Sequence, residues 1–256
     1  MLEQMISRFI YYPDPHWVAR PAHLGLEAEE VSLAPEAGIR LHAWFFPHPE
    51  PLASLLFCHG NAGNASHRLG NVRELVDTGF QVLLFDYRGY GHSSGSPSEG
   101  GLYDDAAAAW GHLVERADTA GAPRIIFGRS LGGAVAVDLA CGAGVDADGL
   151  IVESTFTSIR TLMRLINQPR LLYHLPLPDL PVKYDSLSKI GQLEMPLLAI
   201  HGERDELIPY SDGRALFEAA PEPKRWYRVR GAGHNDTYVV GGEAYFEQMA
   251  AFAEGV

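Results

Sequence analysis

The sequence predicts an α/β domain: a doubly wound, mostly parallel sheet with helices on both faces. Three observations carry that prediction. Short aliphatic runs alternate with Ala- and Leu-rich stretches of helical period from about residue 50 onward. The strand-like runs are apolar almost throughout instead of alternating, as strands covered on both faces require. The chain has 256 residues, 46% of them hydrophobic, which is enough for one large core, and no repeat or linker divides it.

The elements follow in chain order. Met1, Leu2, Met5, Ile6, Phe9 and Ile10 recur at helical spacing and predict a short amphipathic helix that ends at Pro13. Its other face, Glu3, Gln4, Ser7 and Arg8, lacks the Lys/Arg-rich character of a membrane-surface helix, so docking on the protein body is favoured over membrane association. Glu30–Leu33 and Ile39–Phe46 predict an antiparallel hairpin with Pro35 and Gly38 in its turn. Buried strands are expected at Leu52–Cys58, Gln81–Tyr87, Arg124–Gly128, Leu150–Glu153, Leu197–His201 and Trp226–Val229. Helices are expected at Ser66–Thr78, Leu102–Ala117, Leu131–Ala140, Asp212–Ala220 and Glu243–Phe252. One stretch breaks the rhythm. Thr155–Met195 is far longer than an ordinary strand-to-helix connection and carries Pro169, Pro176, Pro178 and Pro181, which predicts a cap inserted within a single domain.

Composition excludes several classes. A net charge of −12 opposes broad nucleic-acid binding. Two cysteines, Cys58 and Cys141, cannot build a disulfide framework and form no CxxC pair, so buried free thiols in a reducing compartment are expected. No apolar stretch is long enough to span a membrane and the start lacks a secretory pattern, so a cytoplasmic protein is expected. There is no HExxH and no GxxxxGK[ST], and Gly89–Gly95 is spaced one residue too long for a dinucleotide fingerprint. No metal and no cofactor are expected.

Gly128-Arg129-Ser130-Leu131-Gly132 is a GxSxG between a predicted strand and a predicted helix, the context a nucleophile elbow needs. Ser130 is therefore the candidate nucleophile. A serine needs an oriented base, and chain order selects His234, in the loop before the last helix, with Asp205 after the preceding strand. Glu203 and Glu206 are read as surface charges. Glu153 is the alternative acid, and its expected task is hydrogen bonding within Ser154–Ser158. Oxyanion donors are expected from Leu131, at a helix start, and from Asn61, in the loop that His59 leads and braces. Leu162, Met163, Leu165 and Ile166, with Leu171 and Leu172, supply apolar cap surface for binding substrate.

His59-Gly60-Asn61, Asp86-Tyr87-Arg88-Gly89-Tyr90-Gly91, the serine elbow, His201-Gly202 with Asp205, and Gly233-His234 together resemble the α/β-hydrolase superfamily. With Glu153–Ser158 and Tyr11-Tyr12-Pro13, the chain is similar to the small serine hydrolase branch that contains the acyl-protein depalmitoylating hydrolases and their bacterial relatives. The resemblance implies esterase or thioesterase chemistry on a small-molecule or acyl ester. Two readings compete: a peptidase-type amide hydrolase with the same triad, and a non-catalytic binding module on the same fold.

Overall fold

The computed structural model describes residues 10–160 and 183–256. The strands are β1 (Tyr12–Pro13), β2 (Glu29–Leu33), β3 (Leu41–Phe46), β4 (Ala53–Cys58), β5 (Ala62–Gly63), β6 (Phe80–Phe85), β7 (Arg124–Arg129), β8 (Gly149–Glu153), β9 (Leu197–Gly202) and β10 (Lys224–Val229). The helices are α1 (Leu69–Asp77), α2 (Glu99–Glu115), α3 (Leu131–Ala140), α4 (Ser186–Ile190), α5 (Tyr210–Ala219) and α6 (Thr237–Ala253).

Eight strands form one sheet in the order β10-β9-β8-β7-β4-β6-β3-β2. Pairing is parallel except where the hairpin β2–β3 joins and where β3 meets β6. Strands β4, β6, β8 and β9 are buried along their whole length, which is why their sequences read as unbroken apolar runs. Alternate residues serve opposite faces. Leu56, Ile126 and Val152 point into the core under α2 and α3, whereas Leu55, Phe57, Ile125, Phe127 and Ile151 join the core under α1 and α6.

The chain leaves β4 for β6 on one side and returns to β7 on the other. That reversal opens a crevice at the carboxyl ends of β4 and β7, where ligands of open α/β sheets bind. A parallel pair, Tyr12↔Ala62 and Pro13↔Gly63, fastens the N-terminal segment beside this crevice.

Boundaries moved for identifiable reasons. Helix α2 starts at Glu99 because the Ser98 hydroxyl accepts from Gly101 N at 3.2 Å and caps it. Helix α6 starts at Thr237 and is interrupted at Gly242, whose φ of 53° breaks the helical path before the stretch expected from Glu243. Of the expected N-terminal helix only the end is described: Ile10 is helical, but Tyr12 already belongs to β1, so the helix stops short of Pro13, and residues 1–9 lie outside the described residues. Most of the expected cap, with Leu162, Met163, Leu165, Ile166, Leu171 and Leu172, also lies outside the described residues. No helix among the described residues is long and apolar enough to cross a membrane.

The packing predicts opposite outcomes for two Gly-to-Ala changes. A Cβ at Gly132 would lie 1.9 Å from the Cys58 carbonyl oxygen, so Gly132→Ala should destabilise the fold by on the order of 3 kcal/mol or more. Gly111, inside α2 with open space around it, should tolerate Ala and gain about 0.5–1 kcal/mol. Urea unfolding of the two variants beside wild type checks both signs.

Candidate active site

Ser130 stands between the end of β7 and the start of α3 with φ 54° and ψ −119°, a backbone conformation costly for any residue with a side chain. Its surroundings hold it there. Ser130 N donates to Glu153 O at 2.9 Å, and the Thr155 hydroxyl and Gly133 N donate to Ser130 O at 2.8 and 3.0 Å. The turn presents Ser130 Oγ at the crevice and aligns the first amides of α3 behind it.

His234 lies in the loop between β10 and α6, with Nε2 3.1 Å from Ser130 Oγ. Its Nδ1 is 2.8 Å from Asp205 Oδ2. A carboxylate only accepts, so Nδ1 carries the proton and the Nε2 lone pair faces the serine hydroxyl. Asp205 follows β9, and its Oδ1 accepts from Leu207 N at 3.0 Å and Ile208 N at 2.7 Å. Burial pushes its carboxyl up, but the His234 hydrogen bond and charge, the Ile208 amide and nearby His201 outweigh that and hold it below the usual carboxylate value. Asp205 therefore stays ionised beside the imidazole.

The loop after β4 closes the other side. A Cβ at Gly60 would be 3.4 Å from Ser130 Cβ, so this loop lies against Ser130. The Asn61 side chain is committed elsewhere: Nδ2 donates to Ile10 O, while Oδ1 accepts from Tyr90 OH at 2.8 Å and Tyr12 N at 3.2 Å. What Asn61 can offer an oxyanion is its backbone N–H; the N–H of Leu131, at the start of α3, has no acceptor within its own helix. His59 is fully buried, with Nδ1 2.7 Å from Gly60 O and Nε2 3.6 Å from Asp86 Oδ1. Burial raises the Asp86 carboxyl, yet His42, His59 and the Ala65 amide bring it down to about 2.

Two expectations need correction. Glu153 does not serve the Ser154–Ser158 loop through its side chain. That carboxylate accepts from Arg129 Nε at 2.9 Å, Tyr245 OH at 2.5 Å and Thr237 Oγ1, and Thr157 turns to Asp212 instead. Nor is Glu206 only a surface charge, because its Oε2 accepts from His234 N at 3.1 Å. Glu203 is exposed and pairs with Arg228 at 3.6 Å, and also takes Gly231 N at 3.0 Å. Arg129 was missed altogether, and its Nη2 donates to His234 O. A signal was present in the sequence: two opposite charges, Arg129 and Glu153, each end an apolar strand of the same sheet.

Residues 49–187 match the family described as serine aminopeptidase, S33. Over 247 residues the chain is 37% identical to an uncharacterized protein of Mycobacterium tuberculosis, covering 96% of this chain and 86% of that one. It is 36% identical over 250 residues to the alpha/beta hydrolase domain-containing protein WAV2 of Arabidopsis thaliana, covering 91% and 81% respectively. A Pyrococcus furiosus esterase shares the fold with a TM-score of 0.77 at 20% identity, over 95% of this chain and 98% of its own.

Asp86 generates a pH prediction. Its folded value of about 2 lies below the ordinary one, so its stabilisation is complete above about pH 4 and disappears as pH falls through about 2. The stability gap between wild type and Asp86→Asn should therefore hold steady at neutral pH and shrink, by about 2 kcal/mol, on acidification. Urea titrations at a series of pH values measure that gap.

Proposed function

The chain belongs to the serine aminopeptidase S33 family of α/β hydrolases, and on that footing we propose that it is a serine hydrolase cleaving carboxylic esters or thioesters through an acyl-enzyme on Ser130. The observation that carries this reading is the continuous hydrogen-bond chain from Asp205 through His234 to Ser130.

Ser130 Oγ attacks the acyl carbon while His234 Nε2 takes the hydroxyl proton. The carbonyl π pair moves to oxygen, and the oxyanion meets the N–H groups of Leu131 and Asn61. Each such donor contributes about 100- to 1,000-fold in rate. Asp205 stabilises the imidazolium without taking its proton. Collapse reforms the carbonyl and expels the alcohol or thiol, which leaves with the proton from His234. Water, deprotonated by the same nitrogen, then attacks the acyl-enzyme, and Ser130 Oγ departs with the proton returned to it.

Amide cleavage is the second reading, and the family's aminopeptidase description favours it. It makes a further demand, a carboxylate free to meet the substrate's α-ammonium group. Of the carboxylates described around Ser130, Asp205 is engaged with His234 and Glu153 with Arg129, which leaves the exposed Glu206, whose Oε2 takes the His234 amide. Apolar cap side chains such as Leu162, Met163, Leu165 and Ile166 remain the proposed acyl-chain contacts, and a cytoplasmic location and a small acyl substrate remain part of this reading.

A panel of p-nitrophenyl esters of increasing chain length, one acyl thioester and one aminoacyl amide tests the proposal. Esters or the thioester should be turned over well above the amide, and Ser130→Ala should lower kcat by about 1,000-fold or more. Asp205→Asn, which loses control of the imidazole tautomer, should cost about 10,000-fold with KM little changed. Turnover of the amide alone would favour the second reading, and full activity in Ser130→Ala would end the first.

A further inference from the structure

Arg129 and Glu153 are register partners on β7 and β8, so their side chains emerge on the same face of the sheet. That face is the one covered by α6, since Phe127 and Ile151, two residues earlier on each strand, belong to the core beneath it. Both side chains are buried, Glu153 completely. The pair does not close on itself. Arg129 extends from Glu153 to the main-chain oxygen of His234 and, at 3.3 Å, to Asn235 Oδ1. Glu153 in turn collects hydroxyls from the first residue and the middle of α6, Thr237 and Tyr245. Burial and the Glu153 charge push the Tyr245 phenol far above its ordinary value, so it stays a neutral donor.

The consequence appears at His234. This residue lies outside regular structure, yet both its backbone polar groups are taken by charged side chains: N–H by Glu206 and C=O by Arg129. Asp205 and Ser130 take the two ring nitrogens. The ring bonds fix the tilt of the imidazole only if its backbone is already in place. A buried ion pair is no better for stability than packed apolar residues of similar volume. An apolar pair could not grip a carbonyl.

We propose that the buried Arg129–Glu153 pair is a positioning clamp that sets the backbone of His234, and so the approach of Nε2 to Ser130 Oγ. Neither residue touches substrate. The clamp couples the strand that carries the nucleophile to the loop that carries the base, so the two move as one body. It rests on the acyl-enzyme reading of the site.

The test uses the full chain and steady-state kinetics on a p-nitrophenyl ester, with thermal unfolding recorded for every variant. Arg129→Met should lower kcat by about 10- to 100-fold with KM close to wild type, because displacement of the base slows the chemical step and leaves binding intact. Arg129→Lys keeps the charge but not the fork of donors and should fall between. The titratable and charged groups that act on His234 are Asp205, Glu206, Arg129 and His201, with Glu153 behind Arg129. Arg129→Met leaves Glu153 uncompensated and should move the acid limb of the pH–rate profile to higher pH, whereas Glu153→Gln should move it to lower pH.

A folded Arg129→Met with wild-type kcat and an unmoved profile would overturn the clamp, even if its melting temperature fell. Should Arg129→Met not fold, Arg129→Lys and Tyr245→Phe decide: a several-fold loss of kcat in both supports the clamp, and wild-type kcat in both overturns it. Ester hydrolysis that survives in Ser130→Ala would instead overturn the underlying reading of the site.

Discussion

A serine held at positive φ is the constraint around which this molecule is organised. Such a conformation costs about 1–3 kcal/mol and persists only where its surroundings leave no alternative. Here Ser130 follows directly on β7, a central strand of the sheet, and immediately precedes α3, a helix whose residues are almost all buried. The absence of side chains at Gly128 and Gly132 lets α3 approach the strand and the β4 loop, and main-chain bonds to Glu153 and from Gly133 lock the turn. The strain is useful because it aims the hydroxyl outward and sets the Leu131 amide, which has no acceptor within its own helix, at the same point.

Three carboxylates converge on this region and are kept apart by their partners. Asp205 meets an imidazole N–H and two backbone amides and stays ionised beside His234. Glu153 meets a guanidinium and two hydroxyls, and its geometry removes it from competition as the acid. Asp86, behind the β4 loop, meets His59 and His42 and the Ala65 amide, and so braces the strand end from which Gly60 and Asn61 project. Each role follows from which donors a fold presents to a chemically similar group.

Much of this was legible in the chain itself. Apolar runs such as Leu52–Cys58 announced a sheet covered on both faces, and GxSxG between a strand and a helix singled out Ser130. Chain order then led to Asp205 and His234, which the structure brings within hydrogen-bond distance of one another. What escaped was non-local. That Glu153 would face Arg129 depends on the register of two parallel strands, and that Glu206 would reach the His234 amide depends on how two loops pack. The commitment of the Asn61 side chain to Ile10, Tyr12 and Tyr90 likewise follows from the short β1–β5 pair, whose two-residue strands carry no periodicity to detect. Helix limits shifted for local reasons, the Ser98 cap and the break at Gly242.

The measurement that meets the central claim most directly is covalent labelling of the intact protein with a fluorophosphonate, followed by peptide mass mapping. A nucleophile activated by His234 should acquire a single adduct on Ser130, and labelling should be lost in a folded His234→Ala. An adduct on another residue, or an unlabelled Ser130 in protein that hydrolyses esters, would contradict the account.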